Sequence, residues 1–281
     1  VYRGNGTPMP GWFPAAPSDR VGQIAGHAYA APVVGVFDAK PSVLQASQGV
    51  WESGAFRRGG MRLWSSSGRL NAFTGMPSAF GVGDGFSMDV PPVLADLDGK
   101  LPLEIVATSN DGSLYAWKAD GAPVAGWLPR TDAKTRTGSA VRSPAAAADL
   151  DGDGRDEILC GSYDGRLRCF GPDGSLRWQS AAPGEGSALT SGIAAGRLRR
   201  GGSFVVQGNA AGAVTAWSAA GCVLWSSITT TGSAVVAEPA IGDVDGDGDQ
   251  DVVVGGTDGF VYAWDAETGK RLWAVPTAPA P

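Results

Sequence analysis

A repeat of about 47 residues runs through most of the chain, and it constrains the fold more than any other feature. Its clearest copy spans residues 143–178. An Asp-rich loop and two Asp-Gly turns divide this copy into four short segments of strand-like composition, at 145–148, 157–161, 166–170 and 175–178. Three hairpin connections in a row predict a four-stranded antiparallel meander.

The unit recurs at a regular spacing. Asp149 follows Asp96 by 53 residues, and Asp243 follows Asp149 by 94, which is two units of 47. Four-stranded repeats of about 40–50 residues are typical of β-propeller blades, so we predict an all-β fold with a single β-propeller domain over residues 1–281. The predicted blades are residues 29–76, 89–129, 142–180, 190–227 and 236–276, followed by a tail at 277–281.

The N-terminal segment matches half of this unit. Residues 1–14 align without a gap on residues 116–129, which carry the third and fourth strands of a blade. We therefore expect five complete blades plus an N-terminal half-blade, with the missing strands upstream in a larger chain or assembly. A propeller of about seven blades is the expectation for the intact protein.

Tryptophans recur at fixed places in the repeat. Trp117, Trp217 and Trp264 end the third strand, and Trp127, Trp225 and Trp273 lie in the fourth. Because their spacing follows the repeat, we expect these rings to pack between neighbouring blades. The alternative is an aromatic platform that binds sugars.

Three cysteines leave one without a partner. Cys160 and Cys169 flank the Asp164-Gly165 turn. A two-residue turn there would place them opposite each other, close enough for a cross-strand disulfide. Two buried free thiols are the alternative, and in both cases Cys222 stays unpaired.

Two loops at the same place in the repeat alternate acidic residues with others. They carry carboxylates at positions 1, 3, 5 and 9 and Gly at position 6. Calcium prefers six to eight oxygen ligands, and glycine permits the sharp reversal. We predict two calcium sites with a structural role, formed by Asp149, Asp151, Asp153, the Arg155 carbonyl and Glu157, and by Asp243, Asp245, Asp247, the Asp249 carbonyl and Asp251. Position 12 is Cys160 or Val254, inside a predicted strand, which excludes an EF-hand.

Other copies have lost parts of this pattern. The loop of Asp96, Asp98 and Glu104 has Lys100 at position 5 and Leu101 in place of Gly. A third cation there is doubtful, since the Lys100 ammonium can replace it electrostatically. The stretch 196–201 has no acidic residue at all.

At these residues the chain resembles the FG-GAP and VCBS repeat propellers, the family that includes the head of integrin α subunits and many bacterial surface and secreted proteins. The resemblance is strongest at 142–178 and 236–273. It implies calcium in the blade loops, an extracellular, cell-surface or periplasmic location, and adhesion or scaffolding. Residues 262–273 also resemble the blade signature of quinoprotein dehydrogenases, where this stretch is structural.

Composition excludes several function classes. The net charge is −6 and the 22 Lys and Arg residues are dispersed, which argues against nucleic acid as a partner. No apolar run reaches the length of about 18 residues that a membrane span needs. The single histidine, His27, lies in a loop-like stretch, and no catalytic constellation accompanies it.

The sequence therefore predicts a calcium-stabilised interaction, adhesion or scaffold module and no enzyme. Its partner would be a protein or a cell-surface or matrix ligand. The alternatives are a quinoprotein-like oxidoreductase and a carbohydrate-binding lectin. Residues 45–62, with Trp51, depart from the repeat and are the predicted contact surface, because insertions on propellers often lie on a binding face.

Overall fold

The computed structural model describes residues 90–109, 112–119, 122–127, 141, 143–183 and 186–277, together with the strand segments between residues 32 and 71. The predicted half-blade at 1–14 and His27 lie outside the described residues. The strands, in chain order, are β1 Val33–Phe37, β2 Lys40–Ser47, β3 Val50–Glu52, β4 Ala55–Arg57, β5 Gly60–Ser65, β6 Leu70–Asn71, β7 Val93–Ala95, β8 Glu104–Thr108, β9 Leu114–Trp117, β10 Ala146–Ala148, β11 Glu157–Gly161, β12 Arg166–Phe170, β13 Leu176–Ala181, β14 Leu189–Arg197, β15 Ser203–Asn209, β16 Ala213–Ser218, β17 Val223–Ile228, β18 Ala240–Gly242, β19 Asp251–Gly255, β20 Phe260–Asp265 and β21 Arg271–Pro276.

These strands form a series of antiparallel meanders. The first sheet has the order β1-β2-β5-β6, and the hairpin β3-β4 is inserted between its second and third strands. The second sheet is β7-β8-β9, the third β10 to β13, the fourth β14 to β17 and the fifth β18 to β21. No helix occurs among the described residues, so none there could cross a membrane. The all-β prediction and the four strands predicted in the repeat at 143–178 are confirmed.

Consecutive sheets are arranged around their first strands. β10 contacts both β7 and β14, and β14 contacts β18. The later strands of each sheet follow outwards, so that the sheets lie face to face like blades. The fold is β-propeller-like. The number of blades in the intact protein and the closure of a ring remain predictions.

A sheet between two others is covered on both faces, and successive side chains of its strands point to opposite faces, so neighbouring residues enter different cores. We call the face that contacts the following sheet the forward face. Leu159, Leu167 and Cys169 on the forward face of the third sheet pack against Val205 and Trp217 of the fourth. Apolar residues on both faces of the second and third strands therefore build a separate core at each boundary from the second to the fifth sheet.

The register of β11 and β12 excludes the proposed disulfide. Leu159 pairs with Cys169, and Cys160 pairs with Arg168. The turn contains one residue more than expected, with Gly165 at a φ of 76° and the Gly165 N–H donating to Ser162 O. Because one residue of slip moves a side chain to the opposite face, the two thiols lie in different cores. All three cysteines are free, and Cys222 is exposed.

Tryptophans at the fourth-strand position of the repeat join the second, third and fourth sheets to the next sheet, although Trp127 follows a sheet with three described strands. The Nε1 of Trp127 donates to the Pro172 carbonyl at 2.9 Å. The Nε1 of Trp178 donates to Ala219 O at 2.8 Å, and that of Trp225 to Ala266 O at 2.7 Å. Each acceptor lies in the turn between the third and fourth strands of the following sheet. Indole burial with a paired N–H confirms the predicted packing role for Trp127 and Trp225.

The third-strand tryptophans bond in the opposite direction. Trp117, Trp217 and Trp264 are all buried. The Nε1 of Trp217 donates to Ser180 Oγ at 3.1 Å, and that of Trp264 donates to Ser227 Oγ at 2.9 Å. Both serines belong to the fourth strand of the preceding sheet, so the third–fourth and fourth–fifth boundaries are each held by a pair of indoles that point in opposite directions.

Candidate metal centre

Both predicted loops begin directly after the first strand of a sheet and end at its second strand. In the third sheet the loop joins β10 to β11, and in the fifth it joins β18 to β19. Gly152 and Gly154 have φ values of 81° and 85°, and Gly246 and Gly248 have 85° and 90°. A Cβ at any of the four would meet no atom within 4 Å, so the left-handed backbone and not crowding explains glycine there.

The first carboxylate of each loop collects backbone N–H groups. Asp149 Oδ1 accepts from the Gly152 N–H at 2.7 Å, and its Oδ2 accepts from the Gly154 N–H at 3.0 Å. Asp243 repeats both contacts, from Gly246 at 2.7 Å and from Gly248 at 3.1 Å. The loop therefore folds around its first acidic side chain, which fixes the curvature that places the other carboxylates.

The acid at position 9 lies at the bottom of each loop. Glu157 and Asp251 are each only 1% exposed. Glu157 Oε2 accepts from the Leu150 N–H at 2.9 Å, and Asp251 Oδ2 accepts from the Val244 N–H at 2.8 Å. Burial raises the pKa of both carboxyls, and these backbone hydrogen bonds offset only part of the rise. A cation that approaches these groups would relieve the cost of their buried charge.

The structure brings together three carboxylates in each loop. Oxygens of Asp149, Asp151 and Glu157 all lie within 4.8 Å of one another, and so do oxygens of Asp243, Asp245 and Asp251. The residues at position 5 are not part of these groups. Asp153 instead pairs with Arg155 Nη2 at 2.8 Å, and Asp247 groups with Asp249 and Asp265 in a neighbouring cluster. The inward carbonyls of Arg155 and Asp249 stay predictions.

Arg177 is a residue of this site that the sequence pattern did not reveal. It lies on β13, and its Nη1 is 2.6 Å from Asp151 Oδ2 and 2.9 Å from Glu157 Oε1. The contact to Glu157 Oε1 is an ion pair without hydrogen-bond geometry, so this buried oxygen has no hydrogen-bond partner. The residue before the fourth-strand Trp is Leu224 in the fourth sheet and Leu272 in the fifth, so the Asp243 loop has no equivalent guanidinium.

The donor set fits a hard divalent cation. Carboxylate oxygens from positions 1, 3 and 9 converge, and the buried Glu157 Oε1 lacks a hydrogen bond. Calcium and magnesium both prefer oxygen ligands, and calcium tolerates the more flexible geometry. Several acidic clusters of this chain could therefore hold a metal ion, with Asp243, Asp245 and Asp251 free of a bridging arginine.

The loop at Asp96 keeps part of the same geometry. Oxygens of Asp96, Asp98 and Glu104 lie within 4.8 Å of one another, and Glu104 Oε2 accepts from the Leu97 N–H at 2.9 Å. Lys100 and Lys118 line the adjoining cavity of about 530 Å³. Asp98 and Glu104 line the same cavity. Replacement of a third cation by Lys100 stays a prediction.

The loop after β14 shows how a copy without acidic residues closes. Phe204 occupies the position of Glu157 and Asp251 and is fully buried. A Cβ at Gly196 would lie 2.7 Å from its ring. The Leu198 N–H donates to Gly202 O at 3.0 Å, which makes a tight turn. An aromatic ring thus replaces the buried carboxylate, and the turn needs no cation.

Neighbouring loops are also joined across the sheets. Asp156 Oδ2 accepts from the Asp96 N–H at 2.8 Å, and the Asp156 N–H donates to Asp96 O at 2.7 Å. Gln250, at the same position in the fifth sheet, accepts from the Arg197 N–H at 2.7 Å. The residue before the buried acid therefore fixes the preceding loop, a role that the sequence pattern did not indicate.

No protein-family model matches the sequence, and no curated protein matches it. Solved structures do resemble the fold. The biofilm matrix protein Bap1 of V. cholerae matches 90% of this chain and 40% of its own, with a TM-score of 0.62 and 21% identity. Sqt1 of Saccharomyces cerevisiae matches 83% of this chain and 58% of its own, with a TM-score of 0.59 and 17% identity.

BamB from Moraxella catarrhalis matches 89% of this chain and 62% of its own, with a TM-score of 0.55 and 15% identity. The chain therefore spans less than two thirds of each of these three proteins. At such low identity the likeness concerns the fold alone. It agrees with the observed series of antiparallel meanders in a β-propeller-like arrangement.

Proposed function

We propose that the protein is a calcium-stabilised β-propeller that acts as an interaction, adhesion or scaffold module outside the cytoplasm. The observation that carries this proposal is the same three-carboxylate geometry in two sheets, each with a nearly fully buried acid at position 9. Two copies of one arrangement at one place in a repeat favour a selected cation site over a solvated acidic turn.

Calcium is the cation that this geometry favours. Each loop supplies carboxylates from a flexible turn, and the predicted carbonyls of Arg155 and Asp249 would add neutral ligands. Magnesium demands near-octahedral geometry and releases its waters reluctantly, so it suits such a loop less well. The ligands span the connection between the first and second strands, so bound calcium would stabilise the native sheet over the unfolded chain.

A binding role agrees better with the described residues than catalysis does. Two of their acidic clusters, those of Asp149 and Asp243, form the proposed calcium sites, and a bound ion would leave these carboxylates unavailable for acid–base work. Buried Cys160 and Cys169 have a pKa raised to about 12 by burial, so they are poor nucleophiles. Surface recognition by a rigid β scaffold requires none of these groups.

Two proteins with a similar fold give examples of what such a fold does. Bap1 is a biofilm matrix protein, and BBS1N was crystallised in complex with ARL6DN, with a TM-score of 0.52 to this chain. Identity to each is low, so both serve only as examples of what such a fold can do. An extracellular, cell-surface or periplasmic location is part of the proposal, since loops as exposed as these suit calcium at extracellular concentrations.

The hairpin β3-β4 is the proposed contact surface. It is inserted between β2 and β5, and Trp51 pairs with Phe56 in its register. A partner protein or a cell-surface or matrix ligand is the proposed occupant, with a glycan as the alternative. Pull-down with the full chain and with a variant whose residues 49–58 are replaced by a short Gly-Ser turn separates this surface from the rest.

Calorimetric titration of chelator-treated protein tests the proposed function directly. We expect two calcium equivalents, weaker magnesium binding, and a higher melting temperature (Tm) in calcium than in EDTA. An unchanged Tm with no heat of binding would refute structural calcium. Absorbance of a bound quinone would instead support the oxidoreductase alternative, and specific signals on a glycan array would support a lectin.

A further inference from the structure

In the third, fourth and fifth sheets, the residue before the fourth-strand tryptophan lies at a β-bulge. In the third sheet the register shifts between Cys169 and Phe170, which leaves Arg177 without a Cα partner on β12. The same shift leaves Leu224 unpaired in the fourth sheet and Leu272 unpaired in the fifth. A bulge turns its extra residue out of the regular alternation of side chains. These three residues therefore hold one special position of the repeat.

The bulge turns Arg177 onto the forward face of its sheet, towards the buried acid. Trp178 lies on this face, since its Nε1 donates to Ala219 O of the fourth sheet. Glu157 lies on it too, because it is two residues before Leu159 on the same strand. Two consecutive residues of β13 thus share one face, and Arg177 Nη1 lies 2.9 Å from Glu157 Oε1.

This guanidinium occupies oxygens that the proposed ion would use. Arg177 Nη1 is also 2.6 Å from Asp151 Oδ2. Calcium bonds to oxygens at about 2.3–2.6 Å, so an ion on Asp151 and Glu157 would lie within about 5 Å of Nη1. Two cations so close repel each other, most strongly beside a buried group. Arg177 and an ion therefore compete for the same two carboxylates.

The Asp243 loop is the natural comparison because Leu272 holds its bulge position. Burial raises the pKa of Asp251 in this loop, and the charges of neighbouring aspartates raise it further. Arg199 pairs with Asp249, which is outside the three converging carboxylates. Within the described part of the chain, an ion at this loop would displace no guanidinium from those three groups.

A second carboxylate lies beside Arg177. A Cβ at Gly171 would be 3.0 Å from Arg177 Nε and 3.1 Å from Asp173 Oδ1, so the two groups flank this glycine. The hydroxyl and the N–H of Ser175 donate to Asp173 Oδ1 at 2.6 and 3.0 Å. These hydrogen bonds, together with the positive charge of Arg177, lower the pKa of Asp173. Asp173 is thus an ionised partner within reach of a guanidinium that leaves Glu157.

We propose that Arg177 is an internal competitor of calcium at the Asp149 loop. The Asp243 loop loads first, and the Asp149 loop loads at a higher calcium concentration. On loading, the guanidinium leaves Glu157 and pairs with Asp173. This inference rests on the proposed function and assigns different roles to its two sites. The Asp243 site is permanently occupied, and the Asp149 site responds to the calcium concentration, with a threshold that Arg177 sets.

Titration calorimetry of single-site variants of the full chain tests this order. Asp251→Asn removes a ligand of the Asp243 site and isolates the Asp149 site. Asp245→Asn, at an exposed position, serves the same purpose if the buried change unfolds the protein. Glu157→Gln isolates the Asp243 site. We expect the isolated Asp243 site to bind calcium several-fold more tightly than the isolated Asp149 site.

Changes at the bulge then test the role of the guanidinium. In the isolated Asp149 site, Arg177→Leu should tighten calcium binding several-fold, and leucine is the matched replacement because the two following sheets carry it. Arg177→Lys keeps the positive charge, so its affinity should stay closer to that of the parent. Asp173→Asn should weaken binding where Arg177 is present and have no effect beside Arg177→Leu, which tests the proposed destination.

The reciprocal change transfers the competitor to the other loop. In the isolated Asp243 site, Leu272→Arg should weaken calcium binding several-fold. Leu224→Arg is the matched control, since it adds the same charge at the bulge of the sheet whose loop has no acidic residue. This control should leave the affinity unchanged.

Failure of the inference is distinguishable from failure of the proposed function. If both sites bind calcium equally, or if Arg177→Leu leaves the Asp149 site unchanged, the inference is wrong and calcium binding stands. Equal weakening by Leu272→Arg and Leu224→Arg would also overturn the inference, because it would show an effect of net charge alone. If no variant binds calcium, the proposed function is wrong and the inference fails with it.

Discussion

Glu157→Gln isolates the contribution of one carboxylate charge to cation binding. The glutamine keeps the side-chain length and an oxygen that can accept the Leu150 N–H, now at 2.9 Å. It loses the negative charge that converges with Asp149 and Asp151. The matched control is Glu104→Gln, whose carboxylate accepts the Leu97 N–H at the same 2.9 Å in a loop with Lys100 at position 5.

The expected magnitude follows from linkage. Calcium at 100 times its dissociation constant stabilises the native state by about 2.7 kcal/mol per site. For a domain of this size, about 1 kcal/mol corresponds to about 2–4 °C in Tm. Loss of the Asp149 site should therefore reduce the difference in Tm between calcium and EDTA by about 5–10 °C. In EDTA the variant loses the ion pair between Glu157 and Arg177, but it also removes a charge whose burial is unfavourable, and Arg177 keeps its contact with Asp151. These opposing effects should leave the free energy of unfolding in EDTA little changed.

Differential scanning calorimetry in calcium and in EDTA, with titration calorimetry for stoichiometry, measures both quantities. Glu157→Gln should bind one calcium equivalent where the parent binds two, and Glu104→Gln should still bind two. If both variants lost the same part of the calcium-dependent rise in Tm, then the overall negative charge, and not a defined set of ligands, would attract calcium. A full calcium effect in Glu157→Gln would refute the role of position 9.

The remaining predictions concern charges and thiols around the same sheet. Arg177→Ala should tighten calcium binding at the Asp149 loop several-fold in titration calorimetry, because a positive charge leaves the cage; unchanged affinity would show that the guanidinium does not compete. Burial alone would raise the pKa of Asp164, but hydrogen bonds from Arg168 and Ser162 outweigh it and hold that pKa below its ordinary value of about 3.9. The stabilisation it provides is thus complete above that pH and lost as the pH falls through the folded-state pKa, so Asp164→Asn should cost about 2 kcal/mol in denaturant unfolding at pH 7 and progressively less below about pH 4. A thiol reagent should label Cys222 alone in the native protein and all three cysteines after denaturation without reductant; a single labelled cysteine after denaturation would instead show that Cys160 and Cys169 form a disulfide.

Features that depend on neighbours in the chain were predictable from sequence. The acidic positions of each loop fall within nine residues, and the left-handed glycines lie among them, so the converging carboxylates of Asp149, Asp151 and Glu157 follow from local spacing. The strands at 157–161 and 166–170 also match the structure, because alternation and turn residues are local signals. Packing of Trp217 and Trp264 followed from their fixed place in the repeat.

Features that depend on register or on distant chain segments were not predictable. One additional residue in the turn after Gly161 put Cys160 and Cys169 on opposite faces, although the pattern of residues allowed either register. Arg177 reaches the Asp149 loop from β13, and Asp156 reaches Asp96 from the next sheet.

The sequence by itself determined that the chain forms repeated four-stranded meanders with acidic loops, since strand alternation and turn chemistry act over a few residues. Only the tertiary structure decided that the Arg177 guanidinium lies against the Asp149 loop, and that Cys160 and Cys169 lie on opposite faces of their sheet. These contacts join residues from separate strands and sheets, and their geometry is set by packing between whole sheets.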